Sequence, residues 1–472
     1  MLKAVMQDEA EHEREQGTNA TSSWPACVSQ ETLRVLREEP FRFSGATPVQ
    51  SAALPLLLDK HKDVCVRAVT GSGKTLAFLI PMVEMIRRQS SYSGATTNAR
   101  RSKKQKKKNT QLLGLVLAPT RELAQQTAKI ATVLFKAHSI SFATVIGGKG
   151  VRAEDEAKTL MNCFSQQDDN PNEDNLDEVG SVMVPQVIIG TPGRVKDVLP
   201  RINALDVRCL ELLILDEADR LLALGFEEEV KAIIAMLPKQ RRTGLFSATQ
   251  TDAVDQLIKV GMRNPVRITV LSASETDANL RDKQNVTGLN VAATIPIPAG
   301  LKCYFTLCES DALFSQLVTF LVRNGIGKKC IIYFLTCACV DFAASVLPEL
   351  PGLKKFIFIH LHGKMKQSAR EKALARFSTA EHAVLVATDV AARGLDIPGV
   401  DWVIQADPPQ DPASFVHRIG RTARMGRTGN SIIYLHPHED TYINYLQNKD
   451  MPMEEREPES DCQPVLSRYD PF

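Results

Sequence analysis

No stretch of uncharged apolar residues in this 472-residue sequence reaches the ~18 needed to cross a bilayer as a helix, so no membrane span is expected. The N-terminus, MLKAVMQDEAEHEREQ, has neither a secretory apolar core nor the acid-poor character of a transit peptide. Strong net charge is also missing. The balance is +2, so any nucleic-acid partner must be met by a local surface or by directed hydrogen bonds. No CxxC pairs with a second CxxC or an HxxxH at zinc spacing. The 10 cysteines are scattered and read as reduced core thiols of a cytosolic or nuclear protein. Cys337 and Cys339 alternate as strand or strand-end residues do. His360 and His362 alternate along an expected strand and read as core or surface histidines rather than ligands.

What is present is a rhythm of short apolar strand, polar loop and amphipathic helix. Strands are expected at 63–69, 112–119, 143–148, 185–192, 210–219 and 243–249, then at 302–308, 329–335, 355–363, 383–389, 401–407 and 431–437. Strands alternating with helices predict an α/β fold with a mainly parallel sheet covered on both faces. The polar, then Pro-bearing stretch 271–299 divides the two series and reads as a linker. The expected organisation is a disordered tail at 1–22, a first domain at 23–270, a second at 300–445 and a C-terminal tail at 446–472. Two insertions lack hydrophobic periodicity: a basic one at 90–109 and an acidic, Asn-rich one at 164–180. The run at 100–108 reads equally as an RNA contact, an import signal or a merely solvated loop.

The strongest local signal is AVTGSGKT, covering Ala68, Val69, Thr70, Gly71, Ser72, Gly73, Lys74 and Thr75. It comes after an expected strand and opens an expected helix. The glycines let successive backbone N–H groups face a phosphate, and a helix N-terminus adds partial positive charge. Lys74 would reach the outer phosphates of a nucleotide, and Thr75 would bind Mg2+. The second signal is LLILDEAD at 212–219, an apolar strand ending in adjacent carboxylates. Asp216 would hold Mg2+ and Glu217 would orient or deprotonate an attacking water. Alone, DEAD reads as early acids at a helix start. After a buried strand and downstream of a P-loop it is far more specific.

With ATPVQ ending at Gln50, PTRELA (119–124), GG (147–148), TPGR (191–194), SAT (247–249), VATDVAARGLDIP (386–398) and HRIGRTARMG (417–426), the chain resembles DEAD-box RNA helicases over about 24–445. The resemblance implies two tandem RecA-like domains, ATP and Mg2+ as nucleotide and metal, and sequence-independent binding of RNA. It implies that Gln50 pairs with the adenine edge and that Phe43 stacks on the base, although simple core packing also accounts for Phe43. Arg42 stands where many relatives have Gly, and Ala46 replaces a common Pro. Ser247 and Thr249 would couple the nucleotide site to domain closure. Arg421 and Arg424 would act as arginine fingers and Asp396 would touch the ribose, while His417 would be an interdomain contact. RNA contacts are implied for Thr120, Arg121, Gly147, Gly148, Thr191 and Arg194, and from the second domain for Arg370 and Thr388. These types suit phosphate and 2′-hydroxyl contacts rather than base reading.

FLTCACVDF (334–342), HGKMKQ (362–367), 405–424 and YINYLQNK (442–449) resemble the Spb4-like nucleolar helicases of large ribosomal subunit assembly. That likeness implies a nuclear, nucleolar location, with the cytoplasm as the other compartment, and pre-ribosomal RNA and proteins as partners of a monomer. Those relatives continue into a long, often Lys-rich extension. This sequence instead runs to Phe472 through a short acidic, Pro-bearing tail. Three other readings share some motifs: an ATP-gated RNA clamp, a DNA translocase and a P-loop enzyme acting on small molecules. The paired second-domain motifs argue against the last, and the Q motif and DEAD sequence against the second.

Overall fold

The computed structural model describes residues 23–68, 71–92, 111–147, 152–163, 185–202, 205–249, 251–270, 300–389, 399–409, 412–423, 428–447, 451 and 453–459. The chain divides near residue 270 into two compact units. The first holds helices α1 (Gln30–Arg37) and α2 (Pro48–Leu58), strand β1 (Val64–Ala68), α3 (Lys74–Tyr92), β2 (Gly114–Leu117), α4 (Arg121–Ala137), β3 (Phe142–Val145) and α5 (Ala153–Cys163). It continues through β4 (Val187–Gly190), α6 (Pro192–Val198), β5 (Leu212–Leu215), α7 (Ala218–Ala223), α8 (Glu227–Met236), β6 (Arg242–Ser247), α9 (Asp252–Gly261) and β7 (Val266–Val270).

Its seven strands are parallel in the order β3-β4-β2-β5-β6-β1-β7. β2, β4 and β5 are buried at every residue, because helices cover both faces of the sheet. In register, Leu117 lies beside Leu215 and Gly190, Leu215 beside Leu245, and Arg67 beside Ser247. The loops that leave β1 to β6 therefore emerge along one edge. Among these elements the sequence missed β7, whose burial alternates because it closes the sheet's side.

The second unit comprises β8 (Leu301–Leu307), α10 (Leu313–Asn324), β9 (Lys329–Tyr333), α11 (Cys337–Val346), β10 (Phe358–Leu361), α12 (Gln367–Thr379), β11 (Ala383–Ala387), β12 (Trp402–Gln405), α13 (Pro412–Ile419), β13 (Gly429–Leu435), α14 (Thr441–Gln447) and β14 (Glu454–Glu455). Its parallel sheet runs β10-β11-β9-β12-β13-β8-β14. Apolar clusters lie on both faces, one around Leu317, Ile332 and Val384 and the other around Tyr333, Leu361 and Phe377.

Two expectations change. Cys337 and Cys339 open an α-helix rather than a strand, because the Thr336 hydroxyl caps it by accepting from the Cys339 N–H at 3.1 Å. The second unit also does not stop at 445. α14 runs past that point, and β14 pairs with β8. The Arg456 N–H donates to the Phe305 carbonyl at 2.8 Å, and the Glu459 N–H donates to Gln316 Oε1 at 2.7 Å. The tails at 1–22 and 460–472, the stretch 271–299 and most of both insertions lie outside the described residues.

Candidate nucleotide and nucleic-acid site

The P-loop sits between β1 and α3, with Gly71 at φ 82° and Gly73 at φ 85°, a region where only glycine is at ease. A Cβ on Gly73 would stand 2.6 Å from Gln50 Nε2 and 2.9 Å from Thr47 Oγ1. The close approach is made by the N-terminus of α2. Thr47 and Gln50 form a capping box, in which Gln50 Oε1 accepts from the Thr47 N–H at 2.9 Å. The same two side chains grip the loop: Thr47 Oγ1 donates to the Ser72 carbonyl at 2.9 Å and Gln50 Nε2 to the Gly73 carbonyl at 3.1 Å. A primary amide has two donor hydrogens and two lone pairs. These bonds use one of each, which leaves one donor and one acceptor for an adenine edge. The Lys74 ammonium donates to the Ala68 carbonyl at 2.7 Å. Phe43 is half-buried, its ring stacked on Phe41 at 5.9 Å. Arg42 beside it has φ 53°, a left-handed conformation that favours glycine. Val69 and Thr70 lie outside the described residues.

Two strands along the sheet from β1, the acids come at the end of β5. Asp216 is buried, and among the described residues its carboxylate accepts a hydrogen bond from the Glu217 N–H at 3.0 Å. Burial, then the neighbouring Glu217, pushes its pKa up to about 7, against the pull of Lys74. A buried carboxylate without a full counter-charge, beside a phosphate-cradling loop, fits a hard oxygen-binding cation such as Mg2+. Glu217 turns the chain into α7 from a left-handed conformation, φ 46° and ψ 56°, and pairs with the buried Arg220 guanidinium at 3.2 Å. A left-handed residue that is not glycine costs roughly 1–2 kcal/mol, and such strain gathers at functional sites.

Ser247 and Thr249 do not bond to the first two acids. Thr249 donates to Asp219 Oδ2 from both its N–H, at 2.9 Å, and its hydroxyl, at 2.6 Å. The Ser247 hydroxyl donates to the Thr249 carbonyl at 2.6 Å. Asp219, the last letter of DEAD, is thus the post that ties β6's exit to α7. Nothing in the spacing marked it apart from its neighbours.

The implied RNA residues gather on the other half of the same edge, after β2, β3 and β4. Thr120 caps α4, its hydroxyl accepting from the Leu123 N–H at 3.3 Å, and Arg121 begins that helix. The Thr191 N–H donates to the Val145 carbonyl at 3.1 Å, and its hydroxyl makes no capping bond. Gly147 has φ 65°, and a Cβ there would meet the Arg194 side chain at 3.1 Å. The Arg194 guanidinium is ion-paired with Glu156 of α5. Gly148 lies outside the described residues.

In the second unit, Thr388 comes directly after β11. Its N–H donates to the Leu361 carbonyl at 3.2 Å, while its buried hydroxyl has no hydrogen-bond partner among the described residues. Arg370 lies in the first turn of α12. Arg421 is buried, its Nε donating to the His417 carbonyl at 3.1 Å. Arg424 and Asp396 lie outside the described residues. The sequence reading missed Arg418, which is 0% exposed and makes four hydrogen bonds. It holds both Asp389 oxygens at 2.7 and 2.6 Å, Gln405 Oε1 at 3.2 Å and the Asp407 carbonyl at 2.6 Å, with its guanidinium 5.1 Å from the Tyr333 ring centre. It ties β11, β12 and α13 into one block behind Arg421.

Residues 47–257 match the DEAD/DEAH box helicase family, and residues 312–426 match the helicase conserved C-terminal domain. DEAD-box ATP-dependent RNA helicase 49 of Arabidopsis thaliana is 43% identical over 428 residues, 90% of this chain and 67% of the relative. The chain belongs to the DEAD-box helicase family. ATP-dependent RNA helicase DDX55 of Homo sapiens is 39% identical over 454 residues, 94% of this chain and 66% of that protein. Against DEAD-box ATP-dependent RNA helicase 18 of Arabidopsis thaliana and of Oryza sativa subsp. japonica, this DEAD-box chain spans 66% and 60% of the relative's length. Among solved structures, Mss116p bound to single-stranded RNA and AMP-PNP superposes with a TM-score of 0.73 at 25% identity, over 97% of this chain and 84% of that one. The tandem RecA-like fold is therefore that of the family.

Proposed function

We propose that this DEAD-box chain is an RNA-stimulated ATPase that locally unwinds or remodels RNA. The observation that carries the reading is the division of one sheet edge. The phosphate loop, Asp216 and the Thr249–Asp219 tie lie after β1, β5 and β6, while the small hydroxyls, Gly147 and Arg194 lie after the adjoining β2, β3 and β4. Ligands of open α/β sheets bind at such strand ends. Lys74 and the P-loop amides hold the phosphates of ATP, and Glu217 orients or deprotonates the attacking water. Thr75 and Asp216 hold Mg2+, which when bound neutralises charge on the phosphates. Arg421 and Arg424 of the second unit serve as arginine fingers, and Asp396 meets the ribose. RNA runs over Thr120, Arg121, Gly147, Gly148, Thr191, Arg194, Arg370 and Thr388, held by its backbone. Ser247 and Thr249 transmit the state of the nucleotide.

The relatives named as ATP-dependent RNA helicases support the activity, and the Spb4-like segments support large-subunit ribosome assembly as the setting and the nucleolus as the place. Pre-ribosomal RNA and proteins are the partners, and the chain acts as a monomer. The deciding experiment measures ATP turnover and release of a short RNA duplex by the full chain, with and without RNA. RNA-stimulated turnover with strand release supports the reading. RNA-stimulated turnover without release points to an ATP-gated clamp. Turnover indifferent to RNA, or stimulated equally by DNA, overturns RNA coupling. Enrichment of crosslinked pre-ribosomal RNA tests the setting, and an mRNA-only profile would contradict it.

A further inference from the structure

β10 is a side strand of the second sheet, and its residues alternate cleanly between the two faces. Ile359 and Leu361 enter one apolar cluster. His360 and His362 belong to the opposite set, with Phe358, which packs against the cluster that α11 contributes to through Val340 and Ala343. Asp341 is the fifth residue of α11. His362 Nε2 lies 2.9 Å from Asp341 Oδ1, the two imidazoles are 6.1 Å apart at 26°, and one donor atom from each of the three side chains falls within 4.8 Å of the others. His362 is only 6% exposed, and its Nδ1 has no hydrogen-bond partner among the described residues. Asp341 and His360 are open to solvent.

We propose that Asp341, His360 and His362 form a transition-metal site on the second unit, suited to Zn2+. Two imidazoles and a carboxylate are a donor set that Zn2+ accepts, and its fourth position would be left to water. With bonds of about 2.0–2.2 Å, tetrahedral neighbours stand roughly 3.3–3.5 Å apart. The 2.9 Å edge is about 0.4 Å short of that spacing and the 4.8 Å limit more than about 1 Å beyond it. Binding would therefore require the exposed His360 and Asp341 side chains to rotate. A plain His–Asp hydrogen bond would account for Asp341 and one ring only. It gives no reason for the second ring, two residues along on the same face. The buried His362 supplies the rigid ligand, and the exposed pair supplies the route of entry. Ligation would fasten the side strand to α11. The fastening point adjoins Leu361, whose carbonyl receives the Thr388 N–H. Hard cations such as Mg2+ prefer all-oxygen sets, so the site stays separate from the one at Asp216.

The test is titration of the reduced full chain with Zn2+ against a chromophoric chelator, beside His360→Ala and Asp341→Asn. Both substitutions are at exposed positions, and unchanged melting without metal verifies the fold. One equivalent should bind, with affinity weakened ~10-fold or more in each variant. At a free concentration 100-fold above the unmodified chain's Kd, Zn2+ should raise its melting temperature by roughly 5–10 °C, and that of a variant that binds 10-fold more weakly by about half as much. Co2+ bound in place of Zn2+ should show ligand-field bands without a thiolate charge-transfer band. Equal binding by all three proteins, or a thiolate band, would overturn the assignment and place the metal on cysteines.

Discussion

The two sheets share one strand order. Read from its own first strand, each runs third, fourth, second, fifth, sixth, first, seventh, and β14 takes the place that β7 has in the first unit. The loops at the strand ends differ. β1 leads into a glycine-bearing phosphate loop, and its counterpart β8 into Cys308, Glu309, Ser310 and Asp311, which offer no such cradle. β5 ends in Asp216 and Glu217, whereas β12 ends in Ala406 and Asp407. The first unit keeps negative charge in its interior, and Asp216 is left short of a counter-ion. The second pairs its buried Arg418 with the Asp389 carboxylate. The same scaffold therefore holds a buried acid without a full counter-charge in the first unit and, in the second, a charge-paired Arg418 close to the buried Arg421.

Changes on the two sides should act differently. Glu217→Gln should lower ATP turnover by ~10²–10⁴, the range for loss of a general base, and should also cost the first unit stability, because the buried Arg220 guanidinium loses the charge it pairs with. A turnover ratio near one in steady-state assays would remove Glu217 from the chemistry. Arg418→Ala should instead destabilise the second unit by about 3–5 kcal/mol, because Asp389 is left without its bidentate partner. Chemical denaturation should show this as an earlier transition of that unit, and equal midpoints would deny Arg418 its structural role.

The pKa of Asp216 gives a third contrast. Raised to about 7 from an ordinary 3.8, the group takes up a proton as pH falls through 7, and the proton competes with Mg2+. Apparent Mg2+ affinity should drop up to ~10-fold per pH unit below that point. The sign for stability is opposite to that of a paired acid. Without Mg2+, folding holds this proton more tightly than the unfolded chain, so the unliganded first unit loses stability as pH rises from about 4 through 7. A Mg2+ titration flat from pH 6 to 8 would show that Asp216 is already ionised. The smallest effect is expected from Arg42→Gly, which should stabilise the first unit by at most ~1 kcal/mol by relieving φ 53°. Arg42 also forms an ion pair with Glu39, and any loss in melting temperature would mean that this pair outweighs the strain.

The layered fold was legible because its buried strands are continuous apolar runs such as LLIL and VIIG, closed by motif loops. β7 and β14 were not, since β7 buries only one of its five residues and two glutamates carry no apolar signal. The P-loop and first acids were legible as unusual residues in unusual places. Asp219, Arg418 and Asp389 were hidden because a charged residue does not announce its partner. Arg418 meets Asp389 across 29 positions. Asp341 was hidden for a related reason: its nearness to His362 depends on how α11 rests on β10.

The late strand β14 also sets a timetable for biosynthesis. The first sheet can close once residue 270 has left the ribosome. The second starts with β8, which lacks both sheet neighbours until β13 emerges about 130 positions later and keeps one flank open until β14, for Arg456 must reach Phe305. A nascent chain therefore carries an unpaired β8 for most of that interval, with its flanks open to wrong pairing. Stalling translation shortly before codon 454 should thus yield a finished first unit attached to an unsealed second one.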